Sequence, residues 1–229
     1  MKKVSIIIPY IMGPDNGMEL KYALRSIEAN FAHDNYEIII LGSKPDWLTN
    51  VTHLSIPRIG ERPMRAFADQ ILKLYTALTE LEVTNDFVWT YDDVYFTQKV
   101  TLDDIKSLKF ALDIHSINEV DNIDGGANWR TAINNALTAT ESLRIFETHL
   151  PRWYNKSKML KLIDKYMLIS NPMVLATLYY NTYFKQAQAI DVNKEKGIRF
   201  MVRSMFDIKT LEKHMRKHKF TNNNPSTYN

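Results

Sequence analysis

The sequence has no cysteine among its 229 residues, and this absence removes several kinds of chemistry. Disulfides, thiolate metal sites and a cysteine nucleophile are all excluded. The composition fits a reducing compartment, and we expect a cytoplasmic protein. Any catalytic or binding groups must therefore be oxygen and nitrogen groups.

A long uninterrupted apolar run is also missing. The apolar run near the N-terminus is short, is broken by Pro9 and has no small-residue cleavage pattern. Residues 166–184 carry no charge, but polar residues and a proline interrupt them: Ser170, Asn171, Pro172, Thr177, Asn181 and Thr182. We therefore expect no targeting signal, no transmembrane segment, and two buried or interfacial helices in this region.

Positive charge is concentrated near the C-terminus. The formal net charge is +3, yet residues 194–220 hold nine lysines and arginines against three acidic residues. A solvated amphipathic helix would explain this pattern. Contact with phosphates or with an anionic surface, including that of a membrane, is the alternative.

What the sequence does contain is the alternation of strands and helices typical of an α/β fold. Hydrophobic residues make up 45%, enough for a sizeable core. Continuous apolar stretches at 4–10, 36–41 and 87–90 predict parallel strands buried on both faces, with a weaker strand at 53–56. Helices are predicted between them by apolar residues at helical spacing: Leu20, Leu24, Ile27, Phe31, Phe67, Ile71, Leu74, Leu78 and Leu81.

The second half of the chain has a looser pattern. It predicts a helix start at 101–104, a turn-rich loop at 121–126 and a helix at 129–143. A strand at 144–148, helices at 155–167 and 172–187, and an edge strand at 198–202 follow. The polar tail, 221–229, is predicted to be disordered.

Two adjacent carboxylates, Asp92 and Asp93, follow the apolar strand predicted at 87–90. Burying a carboxylate is unfavourable unless a cation or a hydrogen-bond donor compensates it. In open parallel sheets, ligands collect at the carboxyl ends of strands near a switch in strand order. Because Mn²⁺ and Mg²⁺ take oxygen ligands and bridge to phosphates, the pair indicates a metal site. An Asp pair in a turn without any ligand is the alternative.

His149 follows the strand predicted at 144–148 and could reach the same edge of the sheet. An imidazole is a suitable ligand for these ions, although a strand-end histidine held in place by Pro151 would also explain it. Glu147 is a candidate base or ligand, or else a surface charge.

An arginine-rich loop precedes the long helix. Arg58, Arg62 and Arg65 could clamp a diphosphate through bidentate hydrogen bonds. Alternatively, Glu61 pairs with these arginines at the surface.

Asp15, Asn16 and Glu19 surround the turn after the first strand. A nucleotide base or ribose binds at this place in such sheets. Helix capping by Asp15 or Asn16 is the alternative.

Several stretches resemble the Stealth proteins, sugar-phosphate transferases of capsule and cell-surface polysaccharide synthesis. The similar stretches are residues 16–28, 45–48, 51–53 and 91–96, with a His-x-Pro block at 149–166, and together they span about 14–185. Two positions depart from the family pattern. Tyr91 replaces the asparagine before the Asp pair, and Gly13-Pro14 stands where an arginine is expected.

The first strand, 4–10, instead looks like that of GT-A glycosyltransferases, which carry an Asp-x-Asp motif at the corresponding strand end. In that register the metal-ligating aspartate is Asp93, and Asp92 lies beside the sugar or ribose. The resemblance implies a GT-A-like, Rossmann-type α/β fold with a mostly parallel sheet, flanking helices and a helical C-terminal part. It also implies one catalytic domain over 1–220, with a nucleotide-sugar half at 1–100 and an acceptor half at 101–220.

These resemblances imply a metal-dependent glycosyltransferase that moves a sugar from a nucleotide-diphosphate-sugar to an acceptor hydroxyl. Asp93 and His149 would hold Mn²⁺ or Mg²⁺, Asp92 would orient the donor, and Glu147 would take the acceptor proton. The substrate-binding residues would be Tyr10, Asn16, Glu19, Arg25, Arg62 and Arg65.

Three other functions stay open from the sequence. A Stealth-like enzyme would transfer hexose 1-phosphate. A transferase with a modified DNA base, in place of a saccharide, as acceptor would contact phosphates through basic residues near the C-terminus: Lys213, Arg216, Lys217 and Lys219. A nucleotide-sugar-binding module without turnover is the non-enzymatic alternative.

Overall fold

A computed structural model describes residues 2–14, 16–62, 64–202 and 217–223 of the chain, with the backbone alone for 199–202 and 222–223. Its helices are α1 Met18–Asn30, α2 Arg65–Glu80, α3 Leu102–Lys106, α4 Ala127–Thr140, α5 Lys156–Lys165 and α6 Leu175–Tyr183, with a 3₁₀ helix at Ile117–Asn122. Its strands are β1 Val4–Tyr10, β2 Tyr36–Gly42, β3 Thr52–Leu54, β4 Asp86–Trp89, β5 Val94–Phe96, β6 Lys109–Phe110, β7 Leu112–Asp113, β8 Arg144–Ile145, β9 Arg152–Asn155, β10 Ile190–Asp191, β11 Arg199–Val202 and β12 Phe220–Asn223.

The central sheet has five strands in the order β3-β2-β1-β4-β9. The first four strands are mutually parallel, and β9 runs antiparallel to β4 at one edge. The chain builds outward from β1 to β2 and β3, then returns to the other side of β1 to form β4. This reversal places a crevice at the carboxyl ends of β1 and β4, where ligands of open α/β sheets bind.

The central strands are apolar because both of their faces are buried. On one face Ile7, Ile39 and Trp89 pack in a core that also contains residues of α2, α4, α5 and α6. On the other face Ile6 and Ile40 pack with residues of α1. The predicted α/β fold, with a mostly parallel sheet and flanking helices, is therefore confirmed.

The turn after β2 needs a glycine. Gly42 has φ of +108°, and a Cβ atom there would lie 2.4 Å from the carbonyl oxygen of Tyr10 and 3.0 Å from Cε of Lys73. Any larger residue would have to displace backbone at the carboxyl edge of the sheet. Gly42 thus allows the ends of β1 and β2 and the middle of α2 to meet closely.

Several predicted elements of the second half need correction. The strand predicted at 144–148 is only β8, which pairs with β7 in a separate two-stranded sheet. Residues 152–155, for which no strand was predicted, form the edge strand β9. The weaker strand at 53–56 is observed one residue earlier and shorter, as β3.

The C-terminal segment also differs from the prediction. β12 pairs with β5 and with β11, and Phe220 and Thr221 are buried there, so disorder does not begin at residue 221. Residues 203–216, which hold most of the predicted basic helix, and 224–229 lie outside the described residues.

Within the part of the chain that the structure describes, no helix combines the length and the apolar character needed to cross a membrane.

Candidate functional site

The Asp pair lies in the turn that follows β4, at the crevice between β1 and β4. Pairing with β1 continues one residue beyond the strand, because the backbone N–H of Thr90 donates to the carbonyl of Ile7 at 3.1 Å. The chain then turns, and β5 begins directly after Asp93. Asp93 is 7% exposed, which is unusual for an aspartate.

His149 compensates the buried carboxylate of Asp93. Its Nε2 atom lies 2.9 Å from one carboxylate oxygen of Asp93 and 3.0 Å from the other. The histidine side chain is 37% exposed, whereas that of Asp93 is 10% exposed, so the pair opens toward solvent on the histidine side. His149 has φ of +52°, a left-handed conformation that is uncommon for a non-glycine residue. The buried residues Leu150 and Pro151 follow it and lead into β9.

Tyr91 supports the imidazole from its flat side. The rings of Tyr91 and His149 are stacked, with centroids 4.5 Å apart and an interplanar angle of 14°. The hydroxyl of Tyr91 accepts a hydrogen bond of 2.6 Å from Nη1 of Arg152. Arg152, on β9 opposite Trp89, is 5% exposed.

Glu147 is fully engaged, and this changes its expected role. One of its oxygens accepts from Nη2 of Arg152 at 2.8 Å, and the other accepts from the backbone N–H groups of Ala176 and Thr177 at 3.1 and 3.2 Å. These N–H groups lie in the first turn of α6, whose positive dipole end favours a carboxylate. Glu147 is therefore a buried structural anion, and we correct its assignment as the acceptor base.

The charge of Glu147 also affects its partner. Arg152 is buried, which by itself lowers its pKa, but the nearby carboxylate of Glu147 holds the pKa well above the usual value for arginine. The guanidinium is therefore charged at every physiological pH, and the pair is a buried ion pair.

Asp92 is the second carboxylate of the pair, and its environment disfavours its charge. Burial, followed by the neighbouring charge of Asp93 and that of Glu19, raises the pKa of Asp92 to about 7. Glu19 lies in the first turn of α1, so the helix brings a third carboxylate toward the pair. The His149 imidazole acts in the opposite direction. The edge of the sheet therefore concentrates negative charge.

Asp93 and His149 offer a carboxylate oxygen and an imidazole nitrogen, two ligand types that a divalent cation could use together with phosphate oxygens. Among the described residues, no group of three or more His, Asp or Glu side chains converges on one point. However, Asp93 and His149 already place one carboxylate and one imidazole nitrogen together, and metals that act on nucleotides need only one or two protein ligands besides phosphates. Burial and then the charge of Asp93 raise the pKa of Asp92, so a cation bound nearby would stabilise its charged form.

The arginine loop has other partners. Arg65 forms an ion pair with Glu61, and Arg62 donates to the carbonyl of Ile169. Arg58 is exposed. The alternative prediction, surface pairing with Glu61, is therefore observed for Arg65. In this conformation, Arg62 and Arg65 do not form a phosphate clamp.

The other predicted substrate-binding residues are spread over a wider area. Tyr10 is buried at the end of β1, where its hydroxyl donates to the sulfur of Met12 at 3.4 Å. Asn16 is exposed, and its carbonyl accepts from the indole N–H of Trp47 at 2.9 Å. Arg25 lines an open groove between α1 and the β2–β3 edge, away from the Asp pair along the helix. Asp15 lies outside the described residues.

Sequence reasoning missed Tyr91 and Arg152 as parts of this site. Tyr91 was considered only as a departure from a family pattern. Arg152 directly follows the His-Leu-Pro stretch, and an arginine between Pro151 and the aromatic Trp153 was the available signal, because a charge within an apolar strand needs a buried partner.

Of the four basic residues predicted to contact phosphates, Lys213 and Arg216 lie outside the described residues. Lys219 is described, and it forms an ion pair with Asp104. Lys217 is exposed.

Comparisons with known proteins agree with the fold. No protein-family model matches the sequence, and no curated protein matches it. Among solved structures, the galactosyltransferase LgtC in complex with donor and acceptor sugar analogs matches with a TM-score of 0.50 and 10% sequence identity, covering 96% of this chain and 87% of that chain. An active-site mutant of LgtC matches with the same identity and coverage and a TM-score of 0.47.

LgtC is a GT-A glycosyltransferase, and at 10% identity the likeness concerns the fold. The GT-A part of the sequence resemblance is therefore confirmed as a fold, whereas the comparisons do not support the Stealth family. The chain has the α/β architecture of GT-A glycosyltransferases, with Asp92, Asp93 and His149 at the crevice of its sheet.

Proposed function

We propose that the chain is a glycosyltransferase that uses a nucleotide-diphosphate-sugar as donor and a hydroxyl group as acceptor. The observation that carries this proposal is the contact between Asp93 and His149 at the carboxyl ends of β1 and β4 in a GT-A fold. Two residues 56 positions apart in sequence meet at the place where this fold architecture binds ligands. LgtC, a structural neighbour, was crystallised with donor and acceptor sugar analogs.

Asp93 and His149 are the proposed ligands of Mn²⁺ or Mg²⁺. When bound, such an ion supplies Lewis-acid stabilisation of the charge that builds up on the leaving diphosphate. Asp93 offers the carboxylate oxygen and His149 the nitrogen, and the pair is open to solvent on the side from which a diphosphate would enter.

Asp92 is the proposed donor-orienting residue. It lies next to Asp93 and in the field of Glu19, so a donor hydroxyl at this point would meet two carboxylates that accept hydrogen bonds. Positioning and charge stabilisation would supply most of the rate enhancement in this proposal.

The experiment that tests the proposal is product analysis after incubation with a panel of nucleotide-sugars, a panel of saccharide acceptors and Mn²⁺. Release of a nucleoside diphosphate by the wild type, with loss of release in Asp93→Asn and His149→Gln, is the expected result. Arg144→Met changes an exposed ion pair elsewhere and serves as the control. No release from any donor by the wild type would contradict the proposal and favour a binding module.

A second candidate is a Stealth-like transfer of hexose 1-phosphate, favoured by the sequence motifs at 16–28, 45–48 and 91–96. The same incubation separates the two reactions. Release of a nucleoside monophosphate in place of the diphosphate would identify phosphosugar transfer, because a different bond of the donor is broken.

A saccharide hydroxyl is the proposed acceptor, because LgtC, a structural neighbour, was crystallised with donor and acceptor sugar analogs. Of the four basic residues predicted to contact DNA phosphates, Lys219 is paired with Asp104 and Lys217 is exposed. A DNA acceptor therefore stays an alternative.

A further inference from the structure

Tyr91 and Arg152 lie beside the Asp93–His149 pair, and their contacts form one continuous path into the protein. The path starts at the N-terminus of α6, where backbone N–H groups hold Glu147. It continues from Glu147 to Arg152 and from Arg152 to the hydroxyl of Tyr91. It ends in the stack of Tyr91 on the imidazole of His149.

Each inner member of this path is held more firmly than the histidine at its end. Arg152 is 5% exposed and donates from both of its terminal nitrogens, so its position is fixed by burial and by two charge-assisted or short hydrogen bonds. The ring of Tyr91 has a second restraint, because the indole of Trp89 lies edge-on to it at 6.4 Å and 84°. His149 sits in a loop, and its side chain is partly exposed.

We propose that Tyr91, anchored by Arg152, is a positioning residue that fixes the imidazole plane of His149 so that Nε2 faces Asp93. This inference rests on the proposed function and deepens it. An imidazole turns about two side-chain bonds, and a parallel ring at 4.5 Å leaves it one plane in which to lie. Partners that orient a metal-binding histidine typically act through a hydrogen bond to its other nitrogen. Here a stacked ring supplies the orientation.

Burying the charge of Arg152 is energetically unfavourable, and its contact with Tyr91 explains why an arginine stands here. Its Nε atom has no hydrogen-bond partner among the described residues, and a buried ion pair is seldom more stabilising than apolar residues of similar size. Apolar residues at both positions 147 and 152 could pack the core, but they could not hold the hydroxyl of Tyr91. The retained charge therefore fits a positioning function better than a stabilising one.

Tyr91→Phe is the decisive variant, because it keeps the ring and removes only the hydroxyl that Arg152 holds. Tyr180→Phe is the matched control: its hydroxyl donates to the carbonyl of Trp153 at 3.1 Å, and it belongs to the same buried aromatic cluster. Both variants lose a part-buried hydrogen bond of a tyrosine hydroxyl, and Tyr91→Phe should lose more stability because the donor to Tyr91 is charged.

The first readout is the NMR signal of the His149 ring, assigned by its loss in His149→Gln. A stacked aromatic ring shifts this signal by its ring current. We expect Tyr91→Phe to move or broaden the signal and Tyr180→Phe to leave it unchanged. The second readout is the dissociation constant of Mn²⁺ alone, measured by calorimetry, which should rise roughly 10- to 100-fold in Tyr91→Phe, the range known for loss of orienting partners.

Arg152→Lys is the second variant. Lysine keeps the charge beside Glu147 but cannot make both guanidinium contacts, so it should also disturb the His149 signal. If Tyr91→Phe and Arg152→Lys both leave the His149 signal and the Mn²⁺ affinity as in the wild type, the inference is overturned. The NMR signal of the His149 ring can be recorded in the absence of metal and donor. A wild type that binds no nucleotide-sugar would therefore defeat the proposed function, while the NMR comparison would still decide the role of Tyr91.

Discussion

Two buried ion pairs of this protein each join a carboxylate to a cationic side chain, but they contact different parts of the molecule. Asp69 and Lys73 lie one turn apart on α2, bonded at 2.7 Å, with side chains 3% and 2% exposed. The second oxygen of Asp69 accepts from the backbone N–H of Ile59. Among the described residues, the hydrogen bonds of this pair connect one helix to one loop, and its lysine packs against the end of β2 at Gly42.

The pair of Glu147 and Arg152 is also buried, with side chains 13% and 6% exposed, but it spans three elements. It joins the first turn of α6 to β9 and, through Tyr91, to the turn that carries Asp93. The comparison teaches that a buried charge alone does not mark a functional site. What distinguishes Arg152 is its contact with a side chain that touches the proposed ligands.

The largest expected effect comes from breaking either pair. Arg152→Met and Lys73→Met each leave a buried carboxylate without its cation, so each should lower the free energy of unfolding by about 3–5 kcal/mol. Urea denaturation followed by circular dichroism measures both losses. A loss of less than about 1 kcal/mol, as for an exposed pair, would contradict the buried geometry.

Asp92 is a third carboxylate to compare with those of the two ion pairs. Among the described residues, no lysine or arginine forms an ion pair with it. Its pKa is raised to about 7, chiefly by burial. Between about pH 4 and pH 7 the folded protein holds a proton on Asp92 that the unfolded chain has lost, so stability falls as pH rises through this window. Above pH 7 the full penalty remains.

Asp92→Asn should remove this penalty. In metal-free buffer at pH 8 it should be more stable than the wild type by up to about 4 kcal/mol, the value that corresponds to the raised pKa. Asp103→Asn, at an exposed aspartate, is the control. The prediction is wrong if the free energy of unfolding changes with pH in the same way for the wild type and Asp92→Asn between pH 4 and pH 8. Asp92 would then be ionised throughout this range.

At the carboxylates of the two ion pairs, substitution by the matching amide removes the charge but keeps the shape of the side chain. Glu147→Gln and Asp69→Asn keep an oxygen that accepts hydrogen bonds but remove the negative charge. Each leaves a buried cation beside a neutral partner, so each should cost about 3 kcal/mol, the lower end of the range for a broken buried pair. Thermal unfolding measures both, and only Glu147→Gln should also disturb the NMR signal of His149. A disturbed signal in Asp69→Asn would contradict the difference between the pairs.

The smallest effect is expected at an exposed pair. Arg144 makes two hydrogen bonds to Asp113, with side chains 32% and 47% exposed. Arg144→Met should lower stability by about 1 kcal/mol or less, because water solvates both charges when they separate. The loss should shrink at high salt, whereas the losses at the buried pairs should change little.

The sequence predicted the first half of the fold well. Strands buried on both faces leave continuous apolar stretches, so β1, β2 and β4 were visible within about one residue. The helices between them carry apolar residues at regular spacing. Asp92 and Asp93 stood out because charges follow directly after such a strand.

The second half was harder for a physical reason. β9 and β8 are short edge or isolated strands that pair over long sequence distances, and their own composition does not specify that pairing. The role of Glu147 depends on α6, about 30 residues later, so it looked like a free base. The partnership of Tyr91 with Arg152 depends on the antiparallel register of β4 and β9, which no local pattern shows.

The most direct test of the central claim is a calorimetric titration of nucleotide-sugars into the protein with and without Mn²⁺, for the wild type and Asp93→Asn. We expect one donor to bind the wild type only with the metal, and Asp93→Asn to fold normally but lose this binding. Metal-dependent donor binding that persists unchanged in Asp93→Asn would contradict the account, because the site would then lie elsewhere.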